Sequence, residues 1–280
     1  MDIDYIHIYT YDQRWVELSA QLIEQFEFQP TPPRLPTPPG QMTQWVQRGE
    51  VFIALSTGTG HDTPIWLRDY LTQHPPGVVD VALRVPNLAI ALKQAIAAGT
   101  KLLTSPQTQA TKIPGAIAHW ATVSGLGDLR HTLVERNPSP PTSGQRFRFD
   151  HAVINVAQGD LRASVQWYQR TFGLEPQQFF HIETPNSGLR SQVLGHPHGT
   201  AQIPINEPTS ARSQIQDFLD INYGIGVQHV AIQTPDLLRT VTQLRQRGVN
   251  FLSVPATYYA QLRDRRGWQR WSDLPWDDLA

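Results

Sequence analysis

Two histidines stand at matching places in a chain that repeats itself. His229 lies in "GVQHVAI" (226–232) and His151 in "FDHAVINV" (149–156). Both stretches have the β-branched, apolar composition of strands. Alternation puts Phe149, His151, Val153 and Asn155 on one face of the first strand, and Val227, His229 and Ala231 on one face of the second. Imidazole ligates Zn, Fe, Cu or Ni. Two such ligands are too few for a closed structural site and suit a catalytic one with open positions. A pair of hydrogen-bonded core histidines is the plainer alternative. The repeat favours the metal reading, because its other copy replaces both rings.

The elements that must position these rings recur along the chain. "GVVDVALRVPNLAIALKQAIAAGTKLL" (77–103) runs without a gap beside "GVQHVAIQTPDLLRTVTQLRQRGVNFL" (226–252). Each predicts a strand, a Pro at a helix N-terminus, an amphipathic helix, a Gly stop and a second strand. Leu88, Leu92 and Ile96 share one helical face, as do Leu238, Val241 and Leu244. "YIHIYTYDQRWVELSAQLIEQFEFQP" (5–30) matches "HAVINVAQGDLRASVQWYQRTFGLEP" (151–176) more loosely. On these alignments His151 corresponds to Tyr5, and His229 to Asp80.

The repeat period is near half the chain. It implies an α+β protein of two copies, at 1–136 and 148–280, joined by a linker over 137–147 within the Pro/Ser-rich "RNPSPPTSGQ". A second proline-rich stretch, "QPTPPRLPTPPG" (29–40), reads as an extended surface loop. The other histidines are weaker candidates. His196 and His198 of "GHPHG" sit in a turn, and His7, His61, His74, His119, His131 and His181 have no partner at ligand spacing. Neither a phosphate-binding Gly loop nor a G-x-S-x-G elbow occurs.

Bulk properties narrow the function classes. The 280 residues carry a net charge of −1 with no basic block, which disfavours nucleic-acid or membrane-surface binding. With no cysteine, a metal must be held by His, Asp, Glu or backbone oxygen. Neither a secretory pattern in "MDIDYIHIYTYDQRW" nor a membrane-length apolar run is present, so the expectation is a soluble cytoplasmic protein.

"FDHAVINV", "SGLRSQVLG", "IPINEP", "RSQIQDFLDINYGIGVQHVAI" and "GVNFLSVPATYY" together resemble the 4-hydroxyphenylpyruvate dioxygenase family, across 149–259. The resemblance implies tandem vicinal-oxygen-chelate domains of βαβββ type, the second carrying the iron. It implies that His151 and His229 are two of three Fe(II) ligands, and that Ser191, Asn206, Gln214 and Gln228 line the substrate pocket. Gln228 sits awkwardly, since strict alternation turns it away from His229. The implied substrates are an aromatic 2-oxo acid and O2, and the implied product is homogentisate. A homo-oligomer is compatible with this. The runner-up readings are 4-hydroxymandelate synthase and a non-catalytic binding module of the same fold.

The third ligand should be a Glu late in the second copy. In the first copy Glu135 marks that place. The interval from Asp80 to Glu135, counted on from His229, runs past Ala280. The expectation is therefore an incomplete second copy, lacking its last strands. A fragment, a shortened paralogue and completion by another chain all fit. The late carboxylates Asp273, Asp277 and Asp278 read as solvated acids.

Overall fold

A computed structural model describes residues 1–111, 113–139, 146–183 and 187–253. The fold is α+β and is built on two sheets. The first holds eight strands: β1 (Asp2–Tyr9), β2 (Gln29–Thr31), β3 (Gln41–Arg48), β4 (Val51–Gly58), β5 (Gly77–Arg84), β6 (Leu102–Thr108), β7 (Ile117–Ser124) and β8 (Arg130–Arg136). Their order is β2-β3-β4-β1-β5-β8-β7-β6. Helices α1 (Asp12–Ala20), α2 (Ile65–Gln73) and α3 (Leu88–Ala97) connect them, and α1 runs on into a π-helical turn at Gln21–Gln25. Two βαβββ units thus meet at the antiparallel β1/β5 pair.

The second sheet runs β10-β11-β12-β9-β13, with β9 (Arg148–Asn155), β10 (Glu175–Glu183), β11 (Gly188–Gly195), β12 (Gln202–Pro208) and β13 (Gly226–Gln233). Helices α4 (Leu161–Phe172), α5 (Gln214–Asn222) and α6 (Leu237–Gln246) accompany it. The first βαβββ unit is whole. The second is present as β13 and α6, and no counterparts of β6, β7 and β8 occur among the described residues. The second strand expected after α6 does not occur among the described residues either. Residues 251–253 form no strand, whereas β6 at the matching place is paired with β7.

The repeat is visible in local chemistry. Asn87 and Asp236 cap α3 and α6 from the same position, accepting from the backbone N–H of Ile90 and Arg239. The expected prolines, Pro86 and Pro235, precede these caps rather than opening the helices. Gly99 and Gly248 follow the helices at φ of 91° and 82°, where a side chain would be strained. Leu88, Leu92 and Ala95 form the buried face of α3, while Ile96 stays half exposed.

One apolar core runs through both sheets. It joins Val81 and Leu83 of β5 to Ile154 of β9 and to Tyr168 and Phe172 of α4. His131 belongs to this core. Its Nδ1–H donates to the Val81 carbonyl and its Nε2 accepts from the Tyr168 hydroxyl, both at 2.9 Å. His74 links the halves at the surface side, between the Asn222 carbonyl at 2.7 Å and Asp128 at 2.9 Å.

Candidate metal centre

The register of β9 and β13 brings the two histidines together. His151 pairs with Ala231, and His229 with Val153. In the first sheet Tyr5 pairs with Ala82 and His7 with Asp80. Tyr5 therefore occupies the place of His151, and Asp80 that of His229, as the repeat predicts. The two imidazoles lie side by side, with ring centroids 5.6 Å apart and planes at 74°.

Two β-bulges shape the site. The β9/β13 register slips once between Val227 and His229, and once where Ala231 and Ile232 meet His151 and Phe149. The extra residues are Gln228 and Asp150. A bulged residue escapes the alternation that would turn it to the other face. The Asp150 carboxylate reaches its neighbour and accepts from His151 Nδ1 at 2.7 Å. Gln228 Oε1 accepts from His229 Nδ1 at 3.0 Å. This corrects the expectation that Gln228 points away from His229. Its side chain meets the His229 ring instead.

The consequence is a matched tautomer. With each Nδ1 donating, each Nε2 keeps its lone pair for a ligand. Burial, and then the neighbouring His151, lower the His229 pKa from its ordinary value, which favours the neutral, ligating form. Among the described residues no cluster of three or more His, Asp or Glu side chains could enclose a metal. The donor set present is thus one Nε2 from each ring, which fits one edge of an open Fe(II) site.

Alternation along β9 carries the same face from His151 through Val153 to Asn155. Asn155 pairs with Asn206 of β12, and Asn206 pairs with Ser191 of β11. A row of three neutral polar side chains, all buried, crosses the sheet beside the histidines. Asn206 Nδ2 donates to Asn155 Oδ1 at 3.3 Å, and Asn155 Nδ2 has no partner among the described residues. Asn155 was not among the pocket residues expected from sequence, although its strand face was legible. Gln214 is the exposed first residue of α5, with Ser213 capping ahead of it. No hydrogen bond joins Gln214 to Ser191, Asn206 or the histidines among the described residues.

The place assigned to the third ligand also needs correction. Glu135 does not face Asp80. It lies on the opposite face of β8 and accepts from the Leu88 backbone N–H at 2.7 Å, at the start of α3. The β8 side chain that meets Asp80 is Thr132. Asp273, Asp277 and Asp278 lie outside the described residues. "GHPHG" forms a turn, in which His196 Nδ1 accepts from the Met1 amino group at 3.1 Å.

Comparison with known proteins agrees with the fold. A model of the Glyoxalase/Bleomycin resistance protein/Dioxygenase superfamily matches residues 148–266. The uncharacterized protein slr0090 of Synechocystis is 35% identical, over 100% of this chain and 80% of its own length. The 4-hydroxyphenylpyruvate dioxygenase of Neurospora crassa is 32% identical over 74% of this chain. This chain belongs to the 4-hydroxyphenylpyruvate dioxygenase family. Membership brings the vicinal-oxygen-chelate fold with it, and the match covers only 57% of the Neurospora relative's length. A solved triple mutant of 4-hydroxymandelate synthase from Streptomyces coelicolor superposes with a TM-score of 0.81 at 28% identity, covering 94% of this chain and 79% of that one. Among the described residues no helix is long and apolar enough to cross a membrane.

Proposed function

We propose that this family member is an Fe(II)-dependent oxygenase that acts on 4-hydroxyphenylpyruvate with O2. The observation that carries the reading is the pair of adjacent imidazoles whose Nδ1 atoms are both held, so that both Nε2 atoms are available. His151 and His229 would hold the iron. Iron held there would supply a site where a 2-oxo acid could chelate and O2 could be activated, coupling decarboxylation to hydroxylation. The chain's own work is orientation. Asp150 and Gln228 fix the ring planes. Ser191, Asn206 and Asn155 offer hydrogen bonds to the phenol without adding a charge.

Homogentisate is the product expected for the dioxygenase reading. The 4-hydroxymandelate synthase reading uses the same substrate and iron and is favoured by the superposition. Anaerobic Fe(II) titration followed by O2 and chromatography of products tests both. Tight uptake of iron and either product, both lost in His229→Ala, support the oxygenase. Unchanged turnover in His229→Ala sinks the ligand assignment. Binding of the 2-oxo acid without iron uptake assigns a non-catalytic module instead.

A further inference from the structure

The first sheet has a cavity of its own where the second has its histidines. It measures about 160 Å3 and is lined by Tyr5 and Asp80, the counterparts of His151 and His229. Trp45, Trp66 and Trp120 supply aromatic walls, and residues 35–38 of the proline-rich stretch form one side. Drug-sized ligands fill roughly 300–1,000 Å3, so this space suits a small metabolite.

Two buried polar atoms on residues that line this cavity lack partners among the described residues. One is Nε1 of Trp45, a residue 3% exposed, and the other is Oε1 of Gln41, which is 9% exposed. The Gln41 amide is fixed, because its Nε2 donates to Thr43 Oγ1 at 2.7 Å and to Ser56 Oγ at 2.8 Å. A donor and an acceptor are thus held in place with nothing opposite them. Native interiors rarely leave such atoms unpaired unless a ligand or water completes them.

The cavity also holds a carboxyl and a guanidinium; burial raises the Asp80 pKa, while its bonds from Thr132 and the nearby Arg130 favour the anion. Asp80 is buried, and its two oxygens accept from the Thr132 N–H at 2.9 Å and from the Thr132 hydroxyl. Each oxygen retains a free lone pair. Arg130 is the neighbour of Asp80 across the β5/β8 register. Its guanidinium lies over Trp66, 4.5 Å from the ring centre, and makes no hydrogen bond among the described residues. Guanidinium matches a carboxylate with two parallel bonds. A buried carboxylate beside aromatic faces matches an ammonium. The two site charges cancel, so a ligand that is itself neutral overall and carries both signs is complementary.

We propose that this cavity binds one free α-amino acid with a small side chain. Its carboxylate meets Arg130 and Trp45 Nε1, and its ammonium meets Asp80 and Gln41 Oε1. The site is separate from the proposed iron centre and does not depend on it.

Isothermal titration calorimetry of the full chain with each proteinogenic L-α-amino acid tests this. One-to-one saturable binding of at least one of them is expected. Its N-acetyl and carboxamide derivatives, each missing one charge, should not bind. Trp45→Phe keeps the ring and removes the N–H, and Arg130→Gln removes the cation. Each should weaken binding by roughly tenfold or more, with folding checked by near-UV circular dichroism. His229→Ala should bind as the parent does. The proposal is overturned if no amino acid binds the folded parent chain. It is equally overturned if the derivatives or both cavity variants bind undiminished, or if His229→Ala abolishes binding.

Discussion

The strand pairs β1/β5 and β9/β13 share a register and a pattern of bulges, yet they present different chemistry. In the first pair the extra residues are Asp4 and Val79, and in the second they are Asp150 and Gln228. Asp4 and Asp150 are equivalent by the repeat, but their carboxylates do different work. Asp4 forms a two-pronged pair with Arg136, at 2.5 and 2.6 Å, and its side chain is 1% exposed. Asp150 turns to His151 with its side chain 45% exposed. A bulge decides where a carboxylate can reach. The residue waiting there decides whether it braces the fold or orients a ligand.

The sharpest way to break this comparison is to remove both carboxylates. Asp4→Ala strands a largely buried guanidinium and should cost about 3–5 kcal/mol in urea unfolding. Asp150→Ala should stay within about 0.5 kcal/mol of the parent chain, while Fe(II) affinity falls about 10–100-fold in anaerobic titration. Equal stability losses in the two variants would mean that the copies use the bulge alike.

That difference was only partly legible in sequence. The gap-free match placed Asp80 opposite His229, the looser one placed Tyr5 opposite His151, and the structure keeps both pairings. Counting faces by alternation worked for His151 and Asn155, which lie on an unbulged run. It failed at Phe149 and Val227, which pack in the core on the side away from the histidines, and at Gln228, because one extra residue in a strand reverses the count and no local signal announces it. Glu135 failed for a related reason. Aligning copies by sequence interval ignores which face of β8 a residue takes, and Thr132 holds the inward place.

A second test contrasts the ligand-type histidines with His131, whose two nitrogens are both engaged in the core. Burial lowers its pKa from 6.5 to about 4. The unfolded chain therefore takes up this proton first. The contribution to stability is complete above pH 6.5 and is lost as the pH falls toward 4, by an amount on the order of 3 kcal/mol. His131→Gln removes this titration, so the stability gap between parent and variant should narrow over that window. A constant gap in urea midpoints from pH 7 to 4 would show that His131 does not titrate as a buried neutral ring.

The smallest expected effect concerns the helix caps. Asn87→Ala and Asp236→Ala should each cost about 1 kcal/mol by thermal or urea unfolding. Similar losses would show that the duplicated strand-cap-helix segment keeps the same local energetics in both copies. A loss confined to Asn87→Ala would show that α6, half open to solvent, adds little to the cooperative unit.

The twin bulges also carry an engineering consequence. The β1/β5 pair already repeats the pairing and bulges of β9/β13, so a pair of imidazoles could be set into the first sheet by side-chain changes. Tyr5→His with Asp80→His would set two imidazoles into a socket already curved to hold them. The resident Arg130 would repel a cation there, which marks it as the third residue that such a transplant must exchange.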